Sequence, residues 1–290
     1  MIYSNIEGGV NMTIKEMLSK GTIMLKGNNV DSPKLKARLL LQYILKKPRQ
    51  YLIVYDNEEV SKKEQWKYFV NIDKLINGVP LQHITHHQEF MLMDFYVDEN
   101  VLIPRPDTEI LVEEVIKIAS KMNQPKILDL CTGSGAIAIS IVKNVPNAEV
   151  YAIDISQNAI EVAKKNAKEL KADVKFIKSN LFDKLEKIKF DIIVSNPPYI
   201  KKDVMKSLSE EVKKEPQLAL DGGIDGLDFY RKITKQAIEY LKFGSYLCFE
   251  IGYDQKDEVI DIINKQEHYS KTYCKKDLGG NDRVIVTQVT

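Results

Sequence analysis

Apolar residues follow two rhythms along this chain, and the change between them divides it. From residue 13 to about 78 the spacing is helical, as in Leu35, Leu39, Leu40, Tyr43 and Ile44. Thr13 followed by Glu16 reads as a capping box at a helix start. Asp31-Ser32-Pro33 places a proline at an early helical position. Ser61 with Glu64 opens a further helix carrying Trp66, Phe69, Ile72 and Ile76. Gly78-Val79-Pro80 closes the region. The pattern predicts a small all-α domain of four or five helices over 12–80. Over 81–98 the alternation loosens, and Glu89-Phe90 with Phe95-Tyr96-Val97 predicts a short β-hairpin within a linker at 81–100.

Beyond residue 100, short apolar runs alternate with amphipathic stretches. Strands are predicted over 126–130, 149–153, 174–178, 190–194, 244–250, 270–274 and 284–287. Helices are predicted over 109–121, 136–143, 227–241 and 255–265. Strands alternating with helices mean an α/β domain on a mainly parallel sheet, here over 101–290. The polar run 201–216 reads as a cover over whatever site the sheet builds.

Composition adds little to this division, but charge sharpens it. Of 290 residues, 44% are hydrophobic and 29% charged, which suits a folded globular protein. The net charge is +1, so nothing global argues for a polyanionic partner. Residues 12–85 hold thirteen basic against seven acidic side chains, while 86–290 is mildly acidic. Cys131, Cys248 and Cys274 follow no disulfide framework and read as reduced thiols of a cytoplasmic protein. No run is long and apolar enough to predict a membrane span. Residues 1–11 lack the basic start and apolar core of a secretory signal and read as a disordered upstream extension. His83, His86 and His87 cluster in the linker, but no Cys or carboxylate set completes a metal site.

The chemistry gathers at predicted strand ends. Cys131-Thr132-Gly133-Ser134-Gly135 is a glycine turn between a strand and a small-residue helix, where backbone can approach a ligand closely. The next strand ends in Asp154, about 20 residues on, where a ribose-binding carboxylate is expected. The third ends in Ser179-Asn180-Leu181-Phe182, which can hold an adenine edge. The fourth runs into Asn196-Pro197-Pro198-Tyr199. Two prolines fix φ and remove two backbone donors, so the corner is stiff and extended. The Asn196 oxygen and the Pro197 carbonyl can each accept one hydrogen of a planar –NH2 group while Tyr199 packs beside its plane. The bare motif serves a side-chain amide, an adenine amine or a guanine amine equally well.

With these motifs in order, the chain resembles the class I S-adenosylmethionine-dependent methyltransferases. More narrowly it resembles the release-factor glutamine methyltransferases, the PrmC/HemK family. Leu102-Ile103-Pro104-Arg105-Pro106-Asp107-Thr108-Glu109 is similar to that family's linker signature, 129–136 to its cofactor loop and 196–200 to its substrate motif. Glu215-Pro216, Asp221-Gly222-Gly223 with Asp225-Gly226-Leu227, and Asp277-Leu278-Gly279-Gly280-Asn281-Asp282-Arg283 also fit. Asn180 departs from the pattern, where an aspartate is commoner; a neutral carbonyl still accepts from an adenine amine.

The resemblance implies a Rossmann-like, mostly parallel seven-stranded sheet whose last two strands make an antiparallel edge. It implies S-adenosylmethionine as cofactor and S-adenosylhomocysteine as product. Asp129, Thr132, Gly133, Ser134, Gly135, Asp154, Asn180, Leu181 and Asn196 are then the cofactor contacts. Asn196, Pro197 and Tyr199 are the catalytic group, with Pro198 and Arg105 added on the substrate side. Arg105 could orient substrate backbone or anchor the Asn-Pro-Pro-Tyr loop. The implied partner is a class I peptide-chain release factor, methylated by a monomer on the glutamine of its Gly-Gly-Gln loop, with the helical domain serving recognition. Other readings are a nucleic-acid base methyltransferase, a methyltransferase for a ribosomal-protein glutamine, an NAD-dependent oxidoreductase using Gly133-x-Gly135-x-x-Ala138, or a binding module. The mildly acidic catalytic part speaks against nucleic acid.

Overall fold

Capping chemistry starts the helical unit. The computed structural model describes residues 11–290. The extension read over 1–11 therefore lies outside the described residues, except for Asn11, whose side-chain amide donates to Glu59 at 2.9 Å. Thr13 caps α1 (Ile14–Gly27): its hydroxyl accepts from the Glu16 amide, and the Glu16 carboxylate accepts from the Thr13 amide at 2.8 Å. Ser61 and Glu64 build the same box on α4 (Lys62–Ile76). Between them lie α2 (Pro33–Leu45) and α3 (Arg49–Val54), and α5 (Leu81–Thr85) follows.

The buried face of α2 differs from the predicted stripe. Lys36, Ala37, Leu40 and Leu41 are buried, whereas Leu35, Leu39 and Tyr43 are exposed. The helix is apolar nearly all round, so spacing alone could not choose the inward arc. In α4, Tyr68, Phe69, Ile72 and Leu75 face the core and Trp66 stays half exposed. Residues 81–85, read as linker, are instead helical, because Leu81 and Ile84 bury their side chains in this unit's core. The unit also takes in Glu210–Lys214 from far along the chain. There Lys36, largely buried, bonds Asp31 at 2.5 Å and pairs with Glu211.

The second unit opens with the hairpin β1 (Gln88–Phe90) and β2 (Met93–Phe95), paired from Gln88↔Phe95 to Phe90↔Met93. Then come α6 (Pro106–Ala119), β3 (Lys126–Leu130), α7 (Ala136–Asn144), β4 (Glu149–Asp154), α8 (Gln157–Glu169), β5 (Val174–Lys178) and β6 (Phe190–Ser195). After α9 (Glu210–Lys213), which belongs to the helical unit, follow α10 (Asp228–Ala237), β7 (Leu241–Glu250), α11 (Lys256–Asn264), β8 (Tyr269–Lys276) and β9 (Asp282–Val289).

The seven strands form one sheet in the order β5-β4-β3-β6-β7-β9-β8. The first five are parallel and β9 runs antiparallel to both its neighbours, as a class I methyltransferase sheet requires. One face buries Leu128, Leu130, Phe190, Ile193, Leu247 and Phe249 under α10 and α11. The other buries Ile127, Val150, Ile192, Val194 and Cys248 under α6 and α7. Strands covered on both faces read as continuous apolar runs, which is why they were legible. The helix predicted over 227–241 ends early because Tyr240 and Leu241 are drawn into the sheet beside Phe190. Among the described residues no helix is long and apolar enough to cross a membrane.

Candidate active site

Four parallel strands, β3 to β6, end on one edge, where such sheets place their ligands. Beyond β3 the chain takes left-handed turns at Cys131 (φ 62°), Gly133 (φ 54°) and Gly135 (φ 81°), the last capping α7. Asp129 anchors this turn from below. It is fully buried, and its Oδ2 accepts from the Thr132 hydroxyl at 2.6 Å. Burial pushes its carboxyl up to about 7, against the opposing pull of Thr132. Asp154, at the end of β4, accepts from the Gly133 amide through Oδ2 and from the Ser156 amide through Oδ1, both at 2.9 Å. Burial raises its carboxyl too, opposed by those amides.

These ends enclose an open cavity of about 870 Å3, including solvent at its mouth. Gly133, Asp154, Asn180, Leu181, Asn196 and Pro198 line it. Asp129, Thr132, Ser134 and Gly135 stand behind its wall and shape the turn rather than facing the space; Pro197, Tyr199 and Arg105 also lie outside the lining. The Asn180 side-chain nitrogen donates to Asp183 at 3.0 Å, which commits that end of the amide and leaves its side-chain oxygen available to accept. Sequence reasoning missed Asn100, Leu102, Ser156, Leu218 and Phe229 in the lining. It also missed Asn166, fully buried on α8, which donates to the Ser134 carbonyl at 2.9 Å and so fixes the glycine turn. Asn166 sits among lysines in an ordinary amphipathic helix, and nothing local marks it.

The Asn-Pro-Pro-Tyr corner is held from behind by the other motifs. Asn196 donates through Nδ2 to the Thr108 hydroxyl at 3.3 Å. The pairing Ser195↔Phe249 sets Asn196 beside Glu250, which is 1% exposed. Arg283 bonds Asp107 at 3.2 Å and Asp277 at 3.1 Å. Gln255 donates to the Tyr199 carbonyl at 3.1 Å. The Gly222 amide bonds the Ile200 carbonyl at 2.9 Å, and a β-carbon at Gly222 would come 2.7 Å from the Tyr199 Cα. Gly222 and Gly226 therefore lie against the corner's backbone, where a side chain would not fit, whereas Gly223 abuts the Asp228 side chain. Arg105 pairs with Glu215, whose other oxygen accepts from the Ile103 amide at 2.9 Å, so in this structure Arg105 anchors the loop at Pro216. Burial pushes the Tyr199 hydroxyl up to about 12.

Similarity to known proteins runs along the whole chain. The PrmC N-terminal domain family matches residues 16–85, and the methyltransferase small domain family matches 106–223. A release factor glutamine methyltransferase of Clostridium botulinum is 43% identical over 94% of this chain and 98% of its own. The chain belongs to the release factor glutamine methyltransferase family. A Bacillus anthracis protein of the same name is 35% identical over 96% of this chain and all of its own. Among solved structures, the hMettl16 catalytic domain, in complex with an RNA hairpin, covers 73% of this chain and 83% of its own at a TM-score of 0.58 and 15% identity, which speaks to the fold alone.

Members of this family are S-adenosylmethionine-dependent methyltransferases, and so is this chain. Its linker histidines find separate structural tasks. His86 stacks on Tyr96 and reaches the Val97 carbonyl at 3.1 Å, and His87 pairs with Asp94.

Proposed function

We propose that the chain methylates the side-chain amide nitrogen, N5, of the glutamine in the Gly-Gly-Gln loop of class I peptide-chain release factors. One observation supports the reading above others: a single cavity joins Asp154 and Gly133 at one end to Asn196 and Pro198 at the other. A nucleoside end and an amide end thus share one space, as a direct transfer needs.

The residues fit the cofactor. A β-carbon at Gly133 would meet nothing within 4 Å, so the wall there is open to a ligand. Asp154 offers acceptor oxygens for ribose hydroxyls. Leu181 and Phe229 offer apolar walls, and Asn180 offers a carbonyl for an amine. When bound, S-adenosylmethionine supplies a methyl group activated by its sulfonium.

An amide nitrogen is a poor nucleophile because its lone pair is shared with the carbonyl. The Asn196 oxygen and Pro197 carbonyl accept its two hydrogens, favour a pyramidal nitrogen, and stabilise the positive charge that grows there. The rigid corner would hold that nitrogen in one orientation toward the cofactor end of the cavity. The nitrogen lone pair would take the methyl as the methyl–sulfur bond breaks, leaving the neutral thioether S-adenosylhomocysteine. The surplus proton would go to solvent without a strong base. Cys131, the thiol that lines the cavity, is pushed up by burial and is no nucleophile.

The helical unit serves recognition of the whole release factor, and the chain works as a monomer in the cytoplasm. Intact-mass analysis of a release factor incubated with the chain and S-adenosylmethionine is the direct test. A gain of one methyl group, mapped to the Gly-Gly-Gln peptide, supports the reading. Methylation of nucleic acid without it would sink it, and light scattering checks the monomer.

A further inference from the structure

Asn196 can do its work only with its side-chain amide facing one way. The oxygen must point at the substrate –NH2; turned over, the Asn196 amide would set donor against donor. Something must therefore fix the flip. Asn196 Nδ2 donates to the Thr108 hydroxyl at 3.3 Å. A hydroxyl that accepts from Asn196 has its own hydrogen left to give. The Ser195↔Phe249 register places Glu250, at the end of β7, beside Asn196, and both Thr108 and Asn196 act on its carboxyl to favour the charged form. It is 1% exposed and its Oε2 has no hydrogen-bond partner. An ionised carboxylate only accepts. A chain of donors that ends on it can run in one direction alone.

We propose that Glu250 is a positioning residue that orients the Asn196 amide through Thr108, with its nitrogen turned inward and its oxygen toward the substrate. The proposal rests on the amide-methylation reading above. No sequence motif marks Glu250; only the Ser195↔Phe249 pairing brings it to Asn196.

The relay depends on the charge state of Glu250. Burial pushes its carboxyl up to about 7; Thr108, Arg283 and Asn196 hold it down, and Asp107 adds to the rise. The Tyr199 and Tyr230 hydroxyls also face it. Arg283 divides its hydrogen bonds between Asp107, Asp277 and the Ile251 carbonyl, so it does not neutralise Glu250 directly. Protonated, Glu250 becomes a donor, the relay can reverse, and the amide loses its fixed orientation. Turnover should then rise with pH through about 7 and level off above it.

The test uses the full chain, S-adenosylmethionine and a release factor, with kcat followed from pH 5.5 to 9. For the wild type we expect kcat to fall by about tenfold per pH unit on the acid side, as a single ionisation requires. Glu250→Gln keeps the shape but can donate or accept, so kcat should drop by at least about tenfold, a loss of about 1.4 kcal/mol of transition-state stabilisation. Its acid limb should vanish, while S-adenosylhomocysteine affinity by calorimetry stays within about twofold. Thr108→Val interrupts the relay from the other side and should reproduce the loss in kcat. A Glu250→Gln enzyme with the acid limb intact, or with kcat close to wild type, overturns the proposal. If that variant does not fold, a flat wild-type profile overturns it equally, and an acid limb near 7 together with the Thr108→Val loss supports it. Absence of methylated glutamine with the wild type at every pH would instead sink the functional reading beneath it.

Discussion

The Gln255 side chain donates a hydrogen bond to the Tyr199 carbonyl at 3.1 Å, tying the start of α11 to the exit of the Asn-Pro-Pro-Tyr corner. The same nitrogen reaches the Gly226 carbonyl at 3.2 Å, and its oxygen accepts from the Gly252 amide at 3.0 Å. One buried side chain thus satisfies three backbone groups from three loops. Gln255→Ala should leave them unpaired, at a cost of about 1–3 kcal/mol for such a buried group. Urea unfolding reads the stability loss. Turnover should fall as well, because the corner loses a brace, while S-adenosylhomocysteine binding holds. Wild-type kcat in a destabilised variant would mean that Gln255 serves folding only.

Two glycines give opposite expectations. A β-carbon at Gly226 would sit 2.4 Å from the Tyr199 carbonyl oxygen, in a backbone at φ +77°. Gly226→Ala should therefore displace the corner and lose most activity. Gly27, at the end of α1, meets nothing within 4 Å. Gly27→Ala should leave activity alone and stabilise by at most about 1 kcal/mol. Equal behaviour of the two variants would contradict the packing described above.

Asp154→Ala removes a carboxylate from the cavity wall and leaves the Gly133 and Ser156 amides without their acceptor. Hydrogen bonds to a charged group contribute roughly 1.5–3 kcal/mol each. Calorimetry should show S-adenosylmethionine binding weakened by at least about tenfold. Unchanged affinity would place the ribose elsewhere.

Much of this was legible because the signals are local. The capping boxes at Thr13 and Ser61, and the order of glycine turn, Asp154 and Asn196, stand in the chain itself. What escaped depends on contacts across distance. The hairpin turn at Met91 and Leu92 takes φ values of 50° and 59° without glycine or asparagine, so its register could not be read. The inward arc of α2 is chosen by its neighbours, not by its spacing. Glu250 and Asn166 gain their roles only when strands and helices meet. The pairing of Arg105 with Glu215, 110 residues away, likewise has no local mark in the sequence.

Asp129 makes stability depend on pH with a definite sign. Its carboxyl rises from an ordinary 3.8 to about 7 on folding, so between those values the folded state holds a proton the unfolded chain lacks. Its contribution is greatest at low pH, declines as pH rises through that window, and is flat above it. Glu250, raised to about 7, acts with the same sign, while Glu149, lowered from 4.5 to about 2 by Lys175, Tyr151 and Lys126, acts with the opposite sign, its contribution being lost as pH falls through that window. Asp129→Asn keeps an acceptor for Thr132 and removes the ionisation. Its urea midpoint relative to wild type should climb from pH 5 to about 7 and then level off. A difference that stays constant across pH would show that Asp129 is ionised throughout.

The helical unit should serve recognition rather than chemistry, because every residue lining the cavity comes after Thr85. A chain beginning near Gln88 should still bind S-adenosylmethionine. Deletion also removes Lys36, the partner of Glu211, so the segment Glu210–Lys214 loses its support, and some general loss of rate is expected. That loss falls on every substrate alike. Two substrates are therefore compared, a whole release factor and a short Gly-Gly-Gln peptide. Contacts remote from the reacting amide help position the whole factor, and the peptide makes few of them. Truncation should cut kcat/KM for the factor far more than for the peptide, so the ratio of the two should collapse. If both fall by the same factor, the helical unit supports folding of the catalytic one and takes no part in recognition.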